Sequence, residues 1–161
     1  MDRRLDLFLW NEIFKYLDSK SQINLTLTSL YLNRLRYNVT HFVYEQKMKS
    51  NFFDIYPNIT TLKSFYISNG EQLKNLRSLT SLDCSFSDIF NVNCLTNLTS
   101  LNCKYCLHIG SINNLTNLIS LNYRGCRSSI THGVEKLTKL KSIKDGRFQY
   151  QDNNIQVVIH N

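Results

Sequence analysis

The stretch "LTNLTSLNCKYCLHI", residues 95–109, places Leu95, Leu98 and Leu101 three apart and then shortens the step to two at Cys103. The shortened step marks a change of period from a turn-like segment to a short strand, in which Leu101 and Cys103 share one side and Asn102 takes the other. The spelling returns as "LRSLTSLDCSFSDI" from Leu76, "LTNLISLNYRGCRSSI" from Leu115 and "LTKLKSIKDG" from Leu137. A weaker copy, "ITTLKSFYIS", begins at Ile59, so the starting positions step by 17, 19, 20 and 22 residues. One unit of this length cannot bury its own apolar face, whereas stacked units make a continuous core. Leu82 and Cys84, Leu101 and Cys103, and Leu121 and Tyr123 are therefore expected to point inward.

Cys103 and Cys106 have metal-ligand spacing, with His108 two positions further on. A structural zinc site needs four ligands, and neither a second CxxC nor a spaced histidine pair accompanies this one, so no metal or other cofactor is expected. A redox pair would want a helix N-terminus to lower a thiol pKa, and none is evident. The repeat offers a plainer account. Cys103 fills an apolar slot of the ladder, while Cys106 and Cys126 each fall five residues after a strand leucine, with Ser87 in the same slot one unit earlier. This spelling resembles the cysteine-containing leucine-rich repeat, a family that places Asn or Cys where the chain leaves the strand. The resemblance implies an α/β solenoid of about five rungs over residues 59–147. Cys84 and Cys103 then stand on adjacent rungs and are expected to be free thiols.

Strand alternation assigns the outward side chains. One column along the concave side is read as Ser64, Ser81, Ser100, Ser120 and Ser142, the next as Tyr66, Asp83, Asn102, Asn122 and Lys144, and a third as Ser85, Lys104 and Arg124. Repeat proteins of this kind bind partners on that side. Tyr66, Asp83, Lys104, Asn122, Arg124 and Lys144 are accordingly the candidate substrate-binding residues, with an acidic or phosphorylated segment as the expected ligand. Arg124 is suited to a bidentate contact.

Residues 5–35 follow a different period. Leu5, Leu9, Ile13, Phe14 and Leu17 approximate a helical stripe, Asp18-Ser19 ends it, and Ser19 or Ser21 can cap a second helix. "IFKYLD" at 13–18 and "LTLTSLYLNRL" at 25–35 resemble the two ends of an F-box, correctly spaced. Asp6 departs from the pattern where the usual Leu-Pro has Pro, and Phe8 where Glu is common. The order of elements is similar to the F-box/leucine-rich-repeat family, in a short version of amoebal or giant-viral type. The fold class so expected is α/β: an F-box-like helical module at 1–40, then the leucine-rich-repeat solenoid. Residues 41–58 are a connecting segment or an irregular first rung led by Val39 and Phe42, and 148–161 a cap or tail.

That resemblance implies a substrate receptor of a cullin-RING (SCF-type) ubiquitin ligase. Leu5, Leu9, Ile13, Phe14 and Leu17 would engage the Skp-type adaptor, the repeats would hold a substrate protein, and no catalysis would occur on this chain. The alternative is a basic repeat scaffold for protein or nucleic acid, whose N-terminal helices only cap the solenoid. The chain of 161 residues carries a net charge of +7, which draws acidic partners. Its basic residues are spread out, so protein is the expected partner rather than nucleic acid or membrane. No paired carboxylates, Ser/His/Asp grouping or Gly-rich phosphate loop signals an enzyme. "MDRRLDLFLWNEIF" reads as neither signal peptide nor membrane span. A cytoplasmic site is expected, with the nucleus as a second option, in a host cell if the source is viral.

Overall fold

In the computed structural model the described residues are 12–28, 38–44, 52–67, 70–126, 130 and 134–144. Six short strands lie side by side in chain order: β1 (His41–Tyr44), β2 (Thr61–Ser64), β3 (Ser81–Asp83), β4 (Ser100–Asn102), β5 (Ser120–Asn122) and β6 (Ser142–Lys144). Every neighbouring pair is parallel, and Phe42, Leu62, Leu82, Leu101, Leu121 and Ile143 are in register across the sheet. A parallel pairing between consecutive strands needs a crossover. Here each crossover is one coil of a solenoid, carried mostly by turns, with short 3-10 segments at Gly70–Leu73 and Val134–Lys136.

The shortened leucine step explains why the strands are so brief. Within one coil Leu95, Leu98, Leu101, Cys103, Ile109 and Ile112 are all buried, and the coils on either side bury the matching residues, Val134 only partly. Turns face the core every third residue, while the strand faces it every second, so three or four residues complete the strand. Backbone groups just outside the strands pair along the stack. Cys84 N–H donates to Asn102 C=O (2.8 Å), Cys103 N–H to Asn122 C=O (2.8 Å), and Thr99 N–H to Thr80 C=O (2.8 Å). The buried main chain is thus hydrogen-bonded from coil to coil. The side chains of Thr80 and Thr99 add to this, each donating to the carbonyl of the preceding rung's threonine at 3.2 and 3.1 Å.

The first weak repeat is offset from its sequence reading. Leu62 pairs with Leu82 and Thr61 with Ser81, so this rung begins at Tyr56, not Ile59, and the step to the next rung is 20 residues rather than 17. Ser64 consequently takes the slot of Cys84. It is buried, and its place in an outward serine column is corrected to Thr61. Before it, β1 joins the sheet with Val39 and Phe42 buried beneath.

Two helices precede the sheet within the described residues: α1 over 12–15 and α2 (Ser19–Thr28). Asp18, not Ser19 or Ser21, caps α2, its carboxylate accepting from Ser21 N–H (2.9 Å) and Ser21 Oγ (3.2 Å). The two helices pack onto the coils through Phe14 of α1 and Ile23 of α2, which belong to the common core, and through a buried Thr26 Oγ1 to Tyr56 Oη hydrogen bond of 2.8 Å. A further short helix, α3 (Phe52–Ile55), buries Phe53 in that core. None of the helices so described is long and apolar enough to cross a membrane.

Candidate functional site

The two cysteine positions separate cleanly. Cys103 sits in the ladder slot with its thiol toward Asn122 C=O (3.4 Å), while Cys106 donates to Cys84 C=O (2.9 Å). Cys126 repeats the second contact on Cys103 C=O (2.9 Å), and Ser87 does so on Ser64 C=O (3.2 Å). The Cys/Ser slot therefore ties the turn of one coil to the backbone of the coil before. The side-chain hydrogen bond shared by Cys84 and Cys106 lowers the Cys106 thiol and, with burial, holds the Cys84 thiol well above its ordinary pKa; Cys126 and Cys103 form the same kind of pair, with Cys126 lowered and Cys103 raised. Cys84 and Cys103 are thereby poor nucleophiles and poor metal ligands at neutral pH. Among the described residues no three His, Cys, Asp or Glu side chains gather as metal ligands.

The exposed face of the sheet carries the polar chemistry. Its first column is Thr61, Ser81, Ser100, Ser120 and Ser142, all half-buried. The second is Lys63, Asp83, Asn102, Asn122 and Lys144, with Lys63 standing where Tyr66 was expected. Three members of this column have a local task. Asp83 Oδ1 accepts from Ser85 N–H (3.1 Å), Asn102 Oδ1 from Lys104 N–H (3.4 Å) and Asn122 Oδ1 from Arg124 N–H (3.3 Å). These side-chain turns end the strands, so Asp83 and Asn122 are partly structural. Ser85 is buried and donates its hydroxyl to Asp83 (2.6 Å), which corrects its place in an exposed third column. Lys104 and Arg124 remain in that column, Lys104 half-buried and Arg124 exposed. Among the described residues none of Lys63, Lys104, Arg124 and Lys144 forms an ion pair.

Tyr66 belongs one position further along, on a ridge that sequence reasoning missed. The turns "SFYI" (64–67), "CSFS" (84–87), "CKYC" (103–106) and "YRGC" (123–126) stack, and their third residues are Tyr66, Phe86, Tyr105 and Gly125. The three aromatic residues are exposed by 54%, 61% and 41%. Phe86 and Tyr105 have φ of 62° and 58°, the left-handed conformation that Gly125 also adopts at 74°. A side chain there costs roughly 1–2 kcal/mol relative to glycine. The Phe86 and Tyr105 rings lie 5.1 Å apart at 31°, and Lys104 Nζ stands 5.8 and 5.2 Å from their centroids. A Cβ on Gly125 would run into the Tyr105 ring, so that ring lies over the glycine and closes the ridge. The signal was present in the sequence, because an aligned column reading Tyr, Phe, Tyr, Gly mixes exposed rings with the residue that tolerates positive φ best.

The candidate adaptor residues divide. Phe14 is buried against the coils, which corrects its reading as a surface anchor; it fastens the helices to the solenoid. Ile13 is exposed by 41% and Leu17 is half-buried, and Tyr16 beside them is also exposed. Leu5 and Leu9 lie outside the described residues, as do the 29–37 part of the F-box-like stretch and the 148–161 segment.

A parallel one-strand-per-coil sheet, leucine-spaced turns and a Cys/Ser slot at the strand exit together define a leucine-rich-repeat type of solenoid. Among solved structures the fold is similar to that of an internalin (inlF) from Listeria monocytogenes str. 4b F2365, with a TM-score of 0.51 and 23% identity. That similarity covers 71% of this chain and 35% of the internalin, so the chain spans about a third of that protein, and the likeness is one of fold. No family model and no curated protein matches the chain.

Proposed function

We propose that this chain is a non-catalytic protein receptor that holds a partner on the exposed face of its parallel sheet. The observation that carries the reading is the set of four cations with no ion pair among the described residues, Lys63, Lys104, Arg124 and Lys144, displayed on one regular face. A stacked sheet fixes the spacing of their backbone attachment points before binding, so on this chain the ordering cost of capturing an acidic segment falls on the side chains alone. The four rungs from β2 to β5 also present hydroxyl and amide groups between the charges.

In its finer form the receptor delivers that partner to a ubiquitin ligase. The F-box-like "IFKYLD", with Ile13 and Tyr16 exposed, supports docking of a Skp-type adaptor and, through it, a cullin-RING scaffold. This form places the protein in the cytoplasm or nucleus. Burial of Phe14 and Ile23 favours a second reading, in which the helices simply cover the open end of the solenoid. Co-expression with a Skp-type adaptor separates the two. Co-purification that is lost in Ile13→Asp, with thermal stability kept, supports the receptor of a ligase. Wild-type protein that binds no such adaptor leaves only the cap. Reversing Lys104 and Arg124 to Glu should abolish partner capture while leaving adaptor binding intact.

A further inference from the structure

We infer that the Phe86–Tyr105 ridge is the anchoring point for an acidic segment of a partner protein, one that carries a bulky apolar side chain next to its carboxylates. The inference rests on the receptor reading above. It starts from a conformational misfit. Asn or Gly would fit the left-handed turn positions most easily, yet Phe86 and Tyr105 occupy them with 61% and 41% of their surface exposed. Rings so exposed return little to the core, so folding does not account for them. Strained residues of this kind cluster where a ligand is clamped.

The surroundings identify the ligand. The two rings face each other at 5.1 Å, which leaves no slot for a base to enter between them and presents a broad apolar shelf instead. Lys104 Nζ stands over both rings, and Arg124 is next along its column, so a carboxylate drawn to these cations would bring its neighbouring side chain onto the shelf. The one carboxylate nearby in the columns, Asp83, is engaged by Ser85 N–H and Oγ. Aromatic and arginine side chains close together are the usual composition of an energetic hot spot.

The test uses the whole chain as bait for a displayed library of random dodecapeptides, with Phe86→Asn/Tyr105→Asn and Lys104→Glu/Arg124→Glu as comparison variants. Asn tolerates positive φ, so the first variant should melt at the wild-type temperature or above it. The expected result is enrichment of peptides with Asp or Glu beside a bulky apolar residue, bound at least ~10-fold more weakly by either variant. A lower melting temperature for Phe86→Asn/Tyr105→Asn would make the rings packing residues and overturn the inference. So would peptides that depend on Lys104 and Arg124 but not on the rings, which would keep the receptor reading and remove the ridge from it. Enrichment of neutral or basic peptides, or ring-dependent binding of a fluorescein-labelled twenty-residue oligothymidine, would assign the ridge to another ligand. Failure to enrich anything would overturn ridge and receptor together.

Discussion

Ser64 shows how much one slot of the ladder decides. Its counterparts Cys84 and Cys103 fill the same inward position with a thiol, a small and weakly polar group that needs no strong partner. The Ser64 hydroxyl is fully buried and, among the described residues, has no hydrogen-bond partner, though its carbonyl accepts from Ser87. A buried polar group left unsatisfied costs about 1–3 kcal/mol. Ser64→Cys should therefore stabilise the chain by about 1 kcal/mol, read as a higher denaturant midpoint at unchanged slope. The reverse exchange, Cys84→Ser, should lower the midpoint by a similar amount. A neutral or destabilising Ser64→Cys would mean that the hydroxyl is satisfied in solution.

At the scale of single elements, the N-terminus of α2 depends on Asp18. The hydrogen bond from Ser21 N–H, first among several contacts, holds its carboxyl below the ordinary value of 3.8. A depressed carboxylate pKa adds stability above the unfolded-state pKa, and that contribution is lost as pH falls through the lower folded value. The melting-temperature gap between wild type and Asp18→Ala should thus be full at pH 6 and shrink below about pH 4. A gap that stays constant to pH 2.5 would rule the charge out. Strands β3 to β6 were legible because each is centred on the last of three apolar residues three apart, followed in β3 to β5 by a two-residue step to Cys84, Cys103 or Tyr123, a pattern with one register. In "ITTLKS" only Ile59 and Leu62 keep the leucine spacing, and a shift of three residues matches almost as well. Tyr56, an aromatic where the other rungs have leucine, concealed the true start. That single offset moved Ser64 and Tyr66 to the wrong columns and hid the aromatic ridge. The capping role of Asp18 was also missed, since three candidate oxygens stand within four residues and only geometry selects among them.

For the molecule as a whole, the parallel stack acts as a ruler whose pitch differs from that of an extended peptide. Rungs repeat about every 4.8 Å, whereas an extended peptide advances about 3.3 Å per residue. A segment crossing the strands therefore drifts out of step and returns after about two rungs and three residues. Lys63 on β2 and Lys144 on β6 share one column, four rungs apart, so they match carboxylates about six residues apart. Peptides selected on this face should show that interval between acidic positions, and acids at random intervals would mean that the segment runs along the strands instead. Under the proposed receptor reading such recognition would be a vernier: the distance between charges would select the partner, while most of the residues between them would remain unread.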